Sequence, residues 1–196
     1  MQTIDPHALD QVFREARTFP SFKPDPVSDD TLSQLQELAQ WGPTAFNAQP
    51  ARFVFVRSAE GKAMLQGCVS AGNAAKVASA PVTVIVAMDT RFYEHLPSQF
   101  PHNPTLAAGF AADPARAQST ALRNSSLQGA YLIVAARMLG LDCGPMSGFD
   151  AKALDQAFFP EGRLRSNFLV ALGHGDPQSL RRRGPRLPFS VCATLR

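Results

Sequence analysis

The sequence predicts an α+β fold in which helices pack around a small mixed or antiparallel sheet and an extended tail closes the chain. Three observations carry this. Apolar residues recur at helical spacing in several segments, and only three short apolar or β-branched runs read as strands. Strands and helices do not alternate strictly, which argues against a parallel βαβ sheet. The length, 196 residues, suits one domain, so residues 1–196 are read as a single unit.

Leu9, Val12, Phe13 and Ala16 form the stripe of a first helix over about residues 6 to 17. Phe19 to Pro26 is a proline-rich loop. Ser28 or Asp29 caps a second helix that carries Leu32, Leu35, Leu38 and Ala39, and Gly42-Pro43 ends it. Pro43 to Pro50 is polar and turn-rich. Phe53-Val54-Phe55-Val56 reads as a buried strand, and residues 59 to 79 as one or two short helices broken near Gly72. Pro81 to Met88 is the clearest strand, apolar on both faces. Residues 89 to 114 hold prolines and aromatics and read as an irregular insertion, a candidate lid. A long helix spans about Ala115 to Leu139, with Leu122, Ile133, Ala136 and Leu139 on its apolar side and Gly140 as its C-terminal cap. Its small residues Ser125, Ser126, Gly129 and Ala130 permit close approach, equally within one chain or between two. Asp150 caps a helix from Ala151 to Phe159, Ser166 to Gly173 is the third strand, and the last twenty residues are extended.

Composition narrows the function classes. An apolar fraction of 45% and this length allow about 70% of the unfolded chain's surface to be buried, which excludes wholesale disorder. No apolar run reaches the roughly 18 residues of a membrane helix, and Met1 to Asp10 lacks a signal-peptide pattern. Cys68, Cys143 and Cys192 form no Cys-x-x-Cys pair, which fits a reducing cytoplasm and offers no zinc site. The four histidines are scattered, so no metal is expected. Net charge is +3, with much of the excess in Arg181-Arg182-Arg183-Gly184-Pro185-Arg186. That patch is too local for a nucleic-acid face. It reads either as a solvated tail or as an anion clamp, because arginine's fixed fork suits phosphate oxygens.

Several motifs are decoys. Gly173-His174-Gly175 lacks the third glycine and the helix start of a dinucleotide fingerprint. Gly144 to Gly148 has two residues between Gly144 and Ser147, so it is no nucleophile elbow. Asp29-Asp30 is better explained by helix capping than by acid–base work. No side chain stands out as catalytic, and residue chemistry alone stops at an α+β domain.

Four segments, in order, add a resemblance. Pro43-Thr44-Ala45-Phe46-Asn47-Ala48-Gln49-Pro50, Gly72-Asn73-Ala74-Ala75-Lys76, Gly144-Pro145-Met146-Ser147-Gly148-Phe149 and Pro185-Arg186-Leu187-Pro188 together resemble the nitroreductase-like FMN oxidoreductases along nearly the whole chain. Trp41-Gly42-Pro43-Thr44, Phe92-Tyr93-Glu94-His95-Leu96-Pro97 and Arg123-Asn124-Ser125-Ser126 resemble the malonic semialdehyde reductase branch.

The resemblance implies FMN as cofactor and NADPH or NADH as hydride donor. The flavin carries the chemistry and no side chain is catalytic. It implies that Arg17, Thr18 and Arg186 meet the phosphate. Pro43, Thr44, Asn47 and Gln49 meet the ring and polyol. Asn73 and Lys76 lie near N1/O2, and Pro145, Ser147 and Gly148 beside N5. The branch implies malonic semialdehyde, reduced to 3-hydroxypropanoate, with Arg123 and Arg91 as candidates for its carboxylate. Nitroaromatics or quinones are the alternative substrates, and a flavin-binding protein without turnover is the alternative role. A homodimer with FMN at the interface is also implied. Two departures stand out: Ser147 replaces a glutamate common in the family, and the N-terminal basic motif is thinned to Arg17-Thr18-Phe19, with Lys23 further on.

Overall fold

The computed structural model describes residues 2–196. Helix α1 (Pro6–Leu9), capped by the Asp5 carboxylate, runs into a π-helical turn (Asp10–Arg14). Then come α2 (Asp29–Ala39), β1 (Ala51–Val56), α3 (Ala59–Gln66), α4 (Ala71–Ser79) and β2 (Val82–Asp89). Short helices α5 (Leu96–Gln99) and α6 (Leu106–Ala111) lead into the long α7 (Pro114–Met138). β3 (Asp142–Met146), α8 (Ala151–Phe158), β4 (Leu164–Gly173) and a short α9 (Phe189–Cys192) complete the chain.

The four strands form one sheet in the order β1-β2-β4-β3, with every pair antiparallel. β2 is central and fully buried; its run Val84 to Met88 is apolar on both faces, with polar Thr83 near its start and Asp89 at its end. β1 lies at one edge and its middle residues are only half-buried, so the reading of a buried strand at Phe53–Val56 is corrected. β3, at the other edge, has no counterpart in the sequence reading. It contains Gly144 and Pro145, and an edge strand tolerates proline because one side of its ladder is unpaired.

Helices cover both faces of the sheet. On one face Ile85, Ala87, Leu169 and Ala171 pack against Leu65, Val77, Leu154, Phe19 and Phe22. On the other, Val82, Val84, Val86, Val170 and Leu172 meet Leu132, Ala135 and Ala136 of α7 and Leu32 and Leu35 of α2. The small residues of α7 now separate. Gly129 serves this inner packing, since a Cβ there would lie 2.4 Å from the Phe168 ring, whereas Ser126 and Ala130 face outward.

Several boundaries shift from expectation. The first helix ends at Arg14, because Thr18 and Phe19 are drawn into pairing with Cys143. Ser28, not Asp29, caps α2 by accepting from the Thr31 N–H. The break between α3 and α4 falls over residues 67–70, where Gly67 ends one helix and Ser70 begins the next; Gly72 lies inside α4. Leu38 and Leu122 are exposed rather than on the apolar faces assigned to them. Gly140, at φ +77°, ends α7 as expected, and Asp150 caps α8. The tail is not extended throughout, because α9 interrupts it. Residues 89–114 are no loose lid: Phe92, Leu96, Leu106 and Phe110 form a third core with Ala117 and Ala121 of α7.

Candidate functional site

The clearest site is a cationic hollow of about 530 Å³ where the N-terminal segment, α4, the end of α7 and the C-terminal tail converge. Arg17, Thr18, Lys76, Arg137, Arg181, Arg182, Arg183 and Arg186 line it, with no carboxylate among the lining residues. None of these seven cations forms an ion pair among the described residues. The tail is held in place through backbone carbonyls: Arg183 donates to Ala16 O at 2.8 Å, and Arg17 donates to Arg181 O. Arg137 donates from Nη1 to Val12 O, while its buried Nε has no partner.

Lys76 is the most telling of these cations. It is half-buried in the last turn of α4, and burial pushes its pKa below the ordinary lysine value. The helix C-terminus offers it some compensation, but no carboxylate does. Its stem lies across β3 at Gly144, where a Cβ would stand 2.9 Å from Lys76 Cδ and 2.7 Å from Phe19 O. Glycine at 144 is therefore what lets the N-terminal segment and Lys76 lie on the strand.

The start of α4 is joined to the loop after β3. Asn73 Nδ2 donates to Gly148 O at 2.9 Å, and the Ser70 N–H donates to the same oxygen at 3.0 Å. A Cβ on Gly148 would lie 2.7 Å from Asn73 Nδ2. Pro145 sits in β3 opposite Val170, and Ser147 follows its end. Asn73, Lys76, Ser147 and Gly148 thus share one neighbourhood.

Pro43, Thr44, Asn47 and Gln49 stand elsewhere, on the loop that enters β1. Phe46, Asn47 and Gln49 all have left-handed φ, 56°, 50° and 42°. Each such residue costs of order 1 kcal/mol and persists only where its surroundings hold it. Thr44 Oγ1 accepts from the Gln49 N–H at 3.1 Å. Two buried carboxamides of α7 hold the loop's ends: Asn124 Oδ1 accepts from Ala45 N and Gln128 Oε1 from Ala51 N, both at 2.8 Å. Sequence reasoning missed Asn124, Gln128 and Arg137. The signal for the first two was a pair of polar residues on a helix face otherwise made of apolar and small ones.

The two halves of the expected set do not meet within one chain. The loop at 43–50 enters edge strand β1, while Thr18 and Gly144 lie at edge strand β3. Three strand spacings, about 14 Å, separate those edges. The tentative substrate arginines are also apart from the cationic hollow. Arg91 lies 3.6 Å from the Glu94 carboxylate and lines a separate cavity with Tyr93, Asp155 and Ser166. Arg123 is exposed on α7, beside Asn124, and forms no ion pair among the described residues.

A protein of Ralstonia nicotianae, provisionally named NADH dehydrogenase/NAD(P)H nitroreductase, is 52% identical over 196 residues, all of both chains. One of the same provisional name from Rhodopseudomonas palustris is 56% identical over 192 residues, 97% of each chain. A provisionally described nitroreductase of Exiguobacterium sibiricum, solved in complex with FMN, superposes with a TM-score of 0.84 at 20% identity, covering 100% of this chain and 99% of that one. The model of the nitroreductase family matches residues 13–174. With that match over most of its length and full-length relatives above half identity, the chain belongs to the nitroreductase family.

Proposed function

We propose that this protein is an FMN-dependent NAD(P)H oxidoreductase that reduces a small electrophile. One observation carries the reading: seven cations without a carboxylate partner surround one hollow, and half-buried Lys76 is among them, its stem lying close over Gly144. That is a site for a polyanion, and the FMN phosphate fits its donor set. FMN, when bound, supplies hydride transfer between NADPH or NADH and the substrate.

Each residue then has a task. Arg17 and Arg186 supply charge-assisted hydrogen bonds to the phosphate, and Thr18 a hydroxyl. Lys76 places a cation where the ring gains negative charge. Asn73 holds the loop of Ser147 and Gly148 by gripping the Gly148 carbonyl, and Gly148 leaves room for close approach. Pro145 fixes the backbone that enters this loop. Pro43 and Thr44 shape the loop that presents Asn47 and Gln49.

The separation of these halves supports a homodimer in which each FMN lies between two chains. A stripe on the outer face of α7 supports it too. Leu127, Tyr131 and Met138 are exposed and Val134 is half-exposed, at spacings of four, three and four residues, and Trp41 stands 78% exposed.

For the substrate, the branch resemblance favours malonic semialdehyde. Arg123 suits its carboxylate better than Arg91, whose charge Glu94 already faces. Reduction of nitroaromatics or quinones is the second reading, supported by the names of the relatives. Steady-state turnover with NADPH separates the two. Malonic semialdehyde is expected to be reduced in preference to a nitrofuran. Arg123→Gln is expected to raise KM for the aldehyde about tenfold, the loss of one charge-assisted contact, and to leave nitrofuran turnover unchanged. Turnover of the nitrofuran alone would overturn the aldehyde assignment.

No membrane or nucleic-acid partner is proposed. Among the described residues no helix is long and apolar enough to cross a membrane. A cytoplasmic location is consistent with free Cys68, Cys143 and Cys192.

A further inference from the structure

Gln99, the last residue of α5, lies outside every motif of the family resemblance, yet it forms the hub of the loop at 44–49. Its Oε1 accepts from Asn47 Nδ2 at 3.2 Å and from Gln49 Nε2 at 3.1 Å. Its backbone carbonyl accepts from Asn47 Nδ2 as well, at 3.3 Å. Gln49 Nε2 also donates to Asn47 Oδ1 at 2.9 Å. Two amide groups thus point their N–H ends at one oxygen.

The hub is anchored. The Phe100 N–H closes the turn of α5 on Leu96 O at 2.8 Å, and Leu96 is buried in the third core. Beside it Phe46, one of the left-handed residues, packs edge-on against Phe100 and Phe110, with ring centroids 5.6 and 6.1 Å away. The segment at 92–111 therefore grips the strained loop twice, through a polar contact and an aromatic one.

We infer that Gln99 is a positioning residue for the cofactor loop, acting through Asn47 and Gln49; the inference rests on the FMN reading. Its acceptor oxygen fixes which way both carboxamides face. With the Nε2 end of Gln49 turned inward, its Oε1 is left as an acceptor. The loop then reads a hydrogen-bond donor on the ligand, a hydroxyl or an imide N–H. Without the Gln99 Oε1, Asn47 keeps only its bond to the Gln99 backbone carbonyl and Gln49 only its contacts to Asn47, so both amides are held less firmly and the left-handed turn loses a support.

The hub uses only oxygens of Gln99, which makes the test specific. Gln99→Glu keeps both hydrogen bonds, whereas Gln99→Met keeps shape and removes them. FMN dissociation constants, read from flavin fluorescence on the apoprotein, are measured for wild type, both variants, and Gln99→Met in an Asn47→Ala/Gln49→Ala background. The expected result is about tenfold weaker binding for Gln99→Met, the worth of two neutral hydrogen bonds. Gln99→Glu is expected within about threefold of wild type, and Gln99→Met to have no further effect once Asn47 and Gln49 are gone. Unchanged binding by Gln99→Met overturns the inference, as does equal weakening by Gln99→Glu or an undiminished effect in the double-alanine background. A wild-type protein that binds no FMN overturns the flavin reading itself, and this inference with it.

Discussion

Lys76→Met is expected to weaken FMN binding by about ten- to a hundredfold while leaving the fold of the apoprotein intact. The estimate follows from the worth of a hydrogen bond to a charged group, about 1.5–3 kcal/mol. The two effects have one cause. Lys76 is a half-buried cation with no carboxylate partner, so an anion gains from its charge and the empty site does not. The pH dependence has a definite sign. Burial lowers the Lys76 pKa in the folded apoprotein below its unfolded value, so the unfolded chain holds the proton more tightly. Between the two values the apoprotein gains stability as pH rises. A bound anion raises the folded pKa again, so FMN binding in that alkaline window takes up protons and weakens as pH rises further. Isothermal titration in two buffers of different ionisation heat measures this uptake. Binding by Lys76→Met equal to wild type would remove Lys76 from the site.

The largest effect on stability is expected from Asp89→Asn. Asp89 ends the central strand and is 1% exposed. Its carboxylate accepts from Arg163 Nε and Nη2, from Arg52 Nη2 and from the Arg91 N–H, all at 2.9–3.0 Å. Arg163 also reaches Glu94 at 3.0 Å, so the cluster joins β1, the end of β2, the residue that precedes β4 and the turn that opens the segment at 92–111. An asparagine in its place turns an NH2 group toward guanidinium donors, leaves part-buried Arg52 without a counter-charge and leaves Arg163 with Glu94 alone. Breaking such a pair costs about 3 kcal/mol, which for a chain of this size lowers Tm by about 6–12 °C. Burial raises the Asp89 pKa, but the hydrogen bonds from Arg163 and the Arg91 N–H and the charges of Arg52 and Arg163 outweigh it and hold the carboxyl below its ordinary value. The stabilisation is therefore fully present above the unfolded value of 3.8 and lost as pH falls through the lower folded value. Urea unfolding at neutral pH and at pH values below that range measures both arms. A variant as stable as wild type at neutral pH would contradict the role given to this cluster.

What was legible in the sequence follows from how local its causes are. β2 was legible because a central strand covered on both faces is dominated by consecutive apolar residues, here Val84 to Met88. β3 was not, because its glycine serves contacts with Phe19 and Lys76, which lie far away in the chain, and its proline reads as a strand breaker. The caps at Gly140 and Asp150 were legible, since a cap is chosen by its own turn. The segment at 92–111 was not, because its aromatics take their order from Ala117 and Ala121 of α7. The candidate site divides the same way. Asn73 and Lys76, three residues apart on one helix, were readable as a pair. Arg137 enters the cationic hollow, and Asn124, Gln128 and Gln99 hold the loop at 44–49, only through the tertiary fold.

Whether this site holds a flavin and passes it electrons from a nicotinamide is decided by the visible spectrum of the purified protein, supplied with FMN and recorded without oxygen before and after NADPH or NADH. Flavin bands are expected to stay with the protein through gel filtration and to bleach when a nicotinamide is added. Bands that persist with both donors would leave a flavin-binding protein without this turnover. A colourless protein after incubation with FMN would contradict the account at its root.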